Sequence, residues 1–198
     1  MNVKKTDRRQ FLKQTAGAAV GAIGFPYVIA SSALGKARSV APSNRIVVGG
    51  IGIGNQGRGV MRHFLHQDDA QVVAVCDVKT TARATAREQV ESRYGSKGCV
   101  EYHDFRELLA RDDIDAVLIA STDHWHVLHA LAAARAGKDV YLEKPMGLSL
   151  AEDQALREAC HQHGTVFQFG TQQRSDRKFC LACELALNER IGKVHGKC

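Results

Sequence analysis

The chain has 198 residues, with 27 Lys and Arg against 21 Asp and Glu, so its formal net charge is +6 at pH 7. Residues 1–45 hold eight of these basic residues and one acid, which leaves 19 basic and 20 acidic residues in the remainder. Because the positive charge belongs to the N-terminal segment, no nucleic acid is predicted as a partner. The remainder is long enough for one domain core and too short for two.

The N-terminal segment carries a twin arginine, Arg8 and Arg9, followed by a stretch from Thr15 to Gly35 without a charged residue. This pattern predicts a twin-arginine signal peptide and linker over residues 1–37. It implies the twin-arginine translocase as a partner and a periplasmic or otherwise exported location. The alternative is an uncleaved anchor or a flexible tail, although the stretch is less hydrophobic than a typical spanning helix.

A glycine-rich turn follows the first predicted strand, Arg45 to Ile51. Gly52 suits a tight turn out of the strand, Gly54 lets the backbone approach a pyrophosphate, and Gly57 permits close packing of the next helix. A helix that starts near Gln56 would point its free N–H groups and its positive dipole end at that pyrophosphate. The residues predicted to bind the cofactor here are Gly52, Ile53, Gly54, Asn55, Gln56 and Gly57.

The second predicted strand, Gln71 to Cys76, ends in Asp77, twenty residues after Gly57. An acid at this position accepts hydrogen bonds from the adenosine ribose diol, which favours NAD over NADP as the cofactor. The alternative is an ordinary glycine turn in a strand-helix unit. The strand before the turn, the helix after it and the acid at this spacing together predict dinucleotide binding.

Strand and helix patterns alternate six times along the chain, after a linker near residues 34–44. This alternation predicts an α/β fold of the Rossmann type, a doubly wound parallel sheet, over residues 45–190. The predicted strands are 45–51, 71–76, 99–102, 116–120, 139–142 and 165–169. The predicted helices are 56–67, 79–93, 105–111, 123–136, 150–163 and 176–190. Capping signals at Asp104 and Ser149, and the glycines Gly137 and Gly164, mark helix starts and ends.

Two polar segments follow the fourth and fifth predicted strands. They are Ser121 to His126 and Glu143-Lys144-Pro145. Both leave the carboxyl end of a parallel strand, where open α/β sheets bind their ligands. Lys144 could reach a substrate hydroxyl beside a nicotinamide and take part in proton transfer. The alternative is a surface ion pair between Glu143 and Lys144.

These segments, together with the glycine turn and Asp77, resemble the Gfo/Idh/MocA oxidoreductases, a family that includes glucose-fructose oxidoreductase and inositol 2-dehydrogenase. The resemblance runs from about residue 45 to the end of the chain. It implies hydride transfer between a tightly held nicotinamide and a hydroxyl carbon of a sugar or polyol substrate, with Lys144 as the catalytic residue that assists the proton. It matches Ser121, Thr122 and His126 to the loop that lines the nicotinamide side of the site, and Glu143 and Pro145 to the rest of the Glu-Lys-Pro motif. All five are expected to bind the cofactor.

Members of that family continue into a second α/β domain, which carries the substrate pocket, a further catalytic Asp and His, and the homo-oligomer interface. This chain ends at Cys198, just after residues 191–194, where the resemblance places the first strand of that domain. We therefore expect a truncated form that holds the nucleotide-binding half, with residues 191–198 as the start of the missing domain. The alternatives are a standalone, non-catalytic dinucleotide-binding module and an exported carbohydrate-binding protein without a cofactor.

Six cysteines in an exported chain suggest disulfides, but their spacing is not that of a small stapled scaffold. Cys76, at a strand end, is predicted to lie in the core. Cys180, Cys183, His195 and Cys198 have the side-chain types that hold zinc. Because the first two fall in a helical pattern and the last two in a short tail, no metal site is predicted.

Overall fold

The computed structural model describes residues 40–193. The strands are β1 (Ile46–Ile51), β2 (Ala70–Cys76), β3 (Val100–Tyr102), β4 (Ala116–Ile119), β5 (Asp139–Glu143) and β6 (Phe167–Gly170). The helices are α1 (Asn55–Leu65), α2 (Thr80–Tyr94), α3 (Phe105–Leu109), α4 (His126–Arg135), α5 (Leu150–His163) and α6 (Arg177–Leu187). Short 3-10 turns lie at Pro42–Asn44, Asp123–Trp125 and Gln172–Ser175.

Residues 44–193 form one compact unit around a six-stranded sheet. Its strand order is β3-β2-β1-β4-β5-β6, and all five neighbouring pairs are parallel. The chain reverses direction across the sheet between β3 and β4, so the carboxyl ends of β1 and β4 meet at the switch point where such sheets bind ligands. The predicted Rossmann fold class is confirmed.

Helices cover both faces of the sheet and bury two apolar clusters. One cluster packs α1 and α2 against the sheet and includes Val60, Met61 and Val90. The other packs α3, α4 and α5 against the opposite face and includes Leu108 and Leu156. Burial on both faces explains the nearly continuous apolar runs in the strands, and it fixes the loops that follow them at one edge of the sheet.

Local signals set several of the element ends. Asp104 accepts the backbone N–H of Arg106 as the N-cap of α3, and Ser149 forms a reciprocal capping box at the start of α5. Gly137 and Gly164, at φ values of 70° and 66°, end α4 and α5 in the left-handed region that favours glycine. These helix ends lie where the sequence predicts them.

Some boundaries differ from the prediction. The predicted helix 123–136 is a 3-10 turn followed by α4, which begins only at His126. The last strand starts at Phe167 instead of residue 165. Its predecessor Val166 donates its backbone N–H to the side chain of Asp139 at 2.8 Å, and this side-chain bond takes the place of a ladder bond.

The predicted signal peptide, residues 1–37, lies outside the described residues, as do residues 194–198. Between residues 40 and 193, no helix is both long enough and apolar enough to cross a membrane. Cys76 is 3% exposed, so its predicted place in the core is confirmed.

Candidate cofactor site

The turn after β1 requires glycine at two positions. Gly52 has a φ of +77°, and a Cβ on it would overlap the backbone of Ser121 at the end of β4. A Cβ on Gly57 would overlap the carbonyl oxygen of Gly52, so α1 packs directly on the turn. These two glycines let the turn pass between β4 and the first residues of α1.

Gly54 serves a different purpose, since a Cβ on this residue would meet no protein atom within 4 Å. It is the N-cap of α1, has a φ of −72° and makes no side-chain capping bond. The first N–H groups of a helix have no intrahelical acceptor, and the helix dipole adds positive charge there. The open space above Gly54 therefore fits a diphosphate, which would occupy the volume that a side chain at this position would fill.

A cleft of about 590 Å³ extends from this turn to the ends of β2 and β4. It is lined partly by apolar and aromatic side chains, which suits a nucleotide. The predicted site residues that line it are Gly52, Gly54, Asn55, Gln56, Asp77, Ser121 and Thr122.

Asp77 lies half-buried at the end of β2, on the wall of the cleft. Its Oδ1 accepts the backbone N–H of Lys79 at 2.9 Å, and its backbone carbonyl accepts a hydrogen bond from Arg83 at 2.6 Å. These bonds fix the residue and leave acceptor capacity on the carboxylate, because a carboxylate offers about four lone-pair sites. A ribose diol could use that remaining capacity.

His129 lines the same cleft together with Phe105, Arg106 and Trp125, although the sequence did not predict His129 as a site residue. Trp125 stacks on its ring with 5.2 Å between centroids, and Phe105 packs against it at 4.4 Å. Its Nδ1 lies 3.0 Å from the hydroxyl oxygen of Ser121. Arg106 lies over the Phe105 ring at 4.7 Å. The signal in the sequence was the three-residue spacing from His126, which puts both histidines on one face of α4.

Burial lowers the pKa of His129 from 6.5 to about 4, with smaller contributions from the nearby His126 and Arg106 charges. The ring is therefore neutral at pH 7. Burial also acts on Cys76, which lines the cleft. It raises the pKa of the thiol to about 12, with a smaller contribution from the negative charge of Asp77, so the thiol stays protonated. The cleft wall formed by His129 and Cys76 carries no charge of its own at neutral pH.

We expect His129→Phe to reduce the acid sensitivity of the fold. Between pH 6.5 and 4 the unfolded chain binds a proton that the folded protein excludes, so wild-type stability falls as the pH drops through this window. The variant keeps a ring between Trp125 and Phe105, and its free energy of unfolding should fall by about 3 kcal/mol less than that of wild type between neutral pH and pH 4. Urea unfolding at both pH values measures this difference. The exposed residue His163 provides the control, since His163→Phe should behave as wild type, and an equal acid loss in His129→Phe would contradict the prediction.

The remaining predicted site residues do not line the cleft. Ile53 is fully buried in the core, and His126 is 1% exposed. Both ring nitrogens of His126 face backbone carbonyl oxygens, Nδ1 that of Pro145 and Nε2 that of Ser121 at 3.0 Å. Gly57 lies under the turn, as described above. The structure therefore places the side chains of Ile53 and His126 in supporting positions behind the cleft.

The segment Glu143-Lys144-Pro145 divides into a buried part and an exposed part. Glu143 is 2% exposed, whereas Lys144 and Pro145 are exposed at the end of β5. Glu143 and Lys144 form no side-chain ion pair in the described part of the chain; instead, the Glu143 carboxylate accepts the backbone N–H of Lys144 at 3.0 Å. The Lys144 side chain thus stays available to a ligand.

No group of three or more His, Cys, Asp or Glu side chains within residues 40–193 could hold a metal ion. Cys180 and Cys183 are free, exposed thiols on α6. The other two members of the zinc-type pattern, His195 and Cys198, lie outside the described residues.

The parallel sheet, the glycine turn under an open helix N-terminus and the acid at the end of β2 together define a dinucleotide-binding Rossmann domain. The model of the Gfo/Idh/MocA family, described as an oxidoreductase family with an NAD-binding Rossmann fold, matches residues 45–171. The chain belongs to this family.

Curated proteins and solved structures give consistent relatives. The chain is 34% identical over 164 residues to glycosyl hydrolase family 109 protein 2 of Shewanella sp. (strain ANA-3), covering 74% of this chain and 35% of that protein. It is 30% identical to a glycosyl hydrolase family 109 protein of Shewanella pealeana, covering 75% and 35%. The chain thus spans about a third of the length of these curated relatives.

The solved structures include the myo-inositol 2-dehydrogenase of Lactobacillus plantarum, with a TM-score of 0.65 and 25% identity over 76% of this chain and 43% of that one. They also include the scyllo-inositol dehydrogenase of Lactobacillus casei with bound NAD(H) and scyllo-inositol. Its TM-score is 0.63 and its identity 28%, over 75% of this chain and 43% of that one. The family predicted from the motifs is confirmed.

Proposed function

We propose that this chain is the nucleotide-binding half of an exported, NAD-dependent oxidoreductase that transfers hydride between nicotinamide and a hydroxyl carbon of a sugar or polyol. The observation that carries the proposal is the open space above Gly54, at the start of α1 and in one cleft with Asp77. Two solved relatives are named as inositol dehydrogenases, which supports a polyol as the substrate class.

The proposed chemistry assigns separate roles to the residues at the sheet edge. A bound nicotinamide would supply the hydride acceptor for the carbon that bears the substrate hydroxyl. Lys144 takes the hydroxyl proton as the ketone forms, so that the alcohol loses one hydride and one proton. Ser121, held by His129, and Thr122 contact the nicotinamide side of the cofactor. Because Glu143 and His126 are buried, we assign them to the support of the turn that carries Lys144.

We expect Asp77→Ser to weaken NAD binding by about tenfold and to improve the use of NADP relative to NAD. The substitution removes the negative charge that repels a 2′-phosphate. It also replaces the carboxylate, a strong hydrogen-bond acceptor for the ribose diol, by a hydroxyl. Calorimetric titration with NAD and NADP measures both dissociation constants. Asp104→Ser is the matched control, because this acid lines the same cleft and a serine still caps α3. An unchanged ratio in Asp77→Ser would mean that the ribose lies elsewhere.

The curated relatives favour a second candidate function, the cleavage of a glycosidic bond, because they are named as glycosyl hydrolases. Oxidation of a ring hydroxyl to a ketone acidifies the neighbouring C–H, which permits elimination of the glycosidic oxygen. Water would then add to the eliminated product, and a bound nicotinamide would supply the hydride that restores the hydroxyl, so the nicotinamide would end unchanged. This reaction would begin with the same proton transfer at Lys144.

Turnover assays of the complete gene product distinguish the two candidates. With an inositol as substrate, the dehydrogenase proposal expects NADH to accumulate in proportion to the oxidised polyol. With an aryl glycoside, the hydrolase proposal expects release of the phenol without net NADH. NAD binding by a protein that turns over neither class, in spite of an intact Lys144, would favour a non-catalytic dinucleotide-binding module.

The proposed export and the proposed second domain are tested together on native material. We expect the mature protein in the periplasmic fraction, with a mass well above that of these 198 residues. The basis for export is the twin arginine at Arg8 and Arg9. A cytoplasmic species that retains this segment would contradict export, and a mature species no larger than this chain would contradict a second domain.

A further inference from the structure

Glu143 forms a buried junction between three segments at the carboxyl edge of the sheet. Its Oε1 accepts hydrogen bonds from Nε2 of Gln56 at 2.9 Å and from Nε2 of Gln172. Its Oε2 accepts the backbone N–H of Lys144 at 3.0 Å. All three partners are donors, which suits an ionised carboxylate, since that group only accepts. The start of α1 and the segments after β5 and β6 therefore meet at one side chain.

The carboxylate of Glu143 is buried and is held by hydrogen bonds from neutral groups. Glu143 is 2% exposed, and no Lys, Arg or His forms an ion pair with it within residues 40–193. Neutral N–H donors alone stabilise the buried carboxylate, so the loss of any one of them leaves acceptor capacity unsatisfied. On the other side of the turn, His126 contacts the carbonyl oxygen of Pro145. The Lys144-Pro145 turn is thus held on one side by Glu143 and on the other by His126.

Gln56 connects this junction to the cofactor cleft. It is the second residue of α1, so its backbone lies in the helix turn that we assign to the diphosphate, and it lines the cleft. Its side chain is the one that donates to Glu143. A diphosphate that fixes this helix turn therefore also fixes Gln56, and the Glu143 carboxylate carries the restraint to the backbone of Lys144.

We propose that Glu143 couples occupation of the diphosphate site to the placement of Lys144. It is a positioning residue, which acts through Lys144 without touching the dinucleotide. The inference rests on the proposed function. It adds that the lysine is set for proton transfer only when the cofactor is in place, which keeps proton transfer and hydride transfer together.

The test uses ADP, which contains the diphosphate and adenosine of NAD but no nicotinamide that could contact Lys144 directly. The readout is the backbone amide resonance of Lys144 in ¹⁵N-labelled protein during titration with ADP. In wild type we expect this resonance to shift in step with binding. In Gln56→Leu we expect ADP to bind within about tenfold of the wild-type Kd, while the Lys144 shift falls by more than half.

Gln67→Leu is the matched control. Gln67 lies just beyond the other end of α1, and its amide donates to the backbone carbonyl of His63 at 3.3 Å, so its loss should leave the Lys144 shift unchanged. Glu143→Gln should also lower the shift by more than half, because its NH2 group would oppose one of the N–H donors that the carboxylate accepts. If that variant does not fold, the Gln56→Leu comparison still decides.

The outcomes separate the inference from the function on which it rests. A Lys144 resonance that stays unmoved while ADP saturates the wild-type protein would overturn the coupling and leave the proposed function standing. A full shift in Gln56→Leu would overturn the route through Glu143. Failure of wild type to bind either ADP or NAD would overturn the proposed function itself.

Discussion

Replacement of Gly54 by valine should abolish useful NAD binding without unfolding the protein. The new side chain would project into space that holds no protein atom within 4 Å, and a φ of −72° is open to any L residue. The same space leads to the first N–H groups of α1, where a diphosphate would bind. We expect the Kd for NAD to rise by at least about 100-fold, equivalent to about 2.8 kcal/mol, with little change in Tm.

Gly59→Val is the matched control for this experiment. Gly59 lies one turn further along α1, where a Cβ also meets no atom within 4 Å, but it does not line the cleft. The control should therefore bind NAD as wild type does. Calorimetric titration with thermal unfolding of both variants measures the two effects. Unchanged NAD affinity in a folded Gly54→Val protein would mean that the diphosphate does not bind at the start of α1, and the cofactor assignment would then be wrong.

The parts of the fold that the sequence predicts well depend on local physics. Buried parallel strands need apolar runs on both faces, and the turn at Gly52 has a φ of +77°, which favours glycine. The caps at Asp104 and Ser149 are also local, since each side chain bonds a backbone N–H two or three residues away. Such signals predict where strands and helices alternate along the chain, and this alternation predicts a parallel sheet.

The side-chain partners at the site could not be predicted in this way. The sequence predicted Glu143 as a cofactor-binding residue, with a surface ion pair to Lys144 as the alternative, yet the carboxylate turns inward to amides 87 and 29 residues away. His129 reaches the cleft because α3 and α4 lie on the same face of the sheet, which brings Phe105 to its ring. These contacts follow from the packing of separate elements, and no local pattern in the sequence encodes them.

The proposed role of Lys144 leads to the second large expected effect. In the complete gene product, Lys144→Ala should lower kcat by about 10²- to 10⁴-fold, the usual contribution of a general acid–base group. The Kd for NAD should stay within about threefold of wild type, since Lys144 does not line the cleft around the adenosine and diphosphate positions. Steady-state turnover and NAD titration together separate a loss of chemistry from a loss of cofactor binding.

Two control variants complete the argument for Lys144. Lys97→Ala removes an exposed lysine from the loop before β3, at the opposite edge of the sheet, and should leave kcat unchanged. Lys144→Arg keeps the positive charge, but a guanidinium does not give up its proton in proteins, so turnover should remain low. Full activity in Lys144→Arg would make the residue an electrostatic contact. An equal loss of kcat and NAD affinity in Lys144→Ala would make it a cofactor ligand, and proton transfer would then belong to another group.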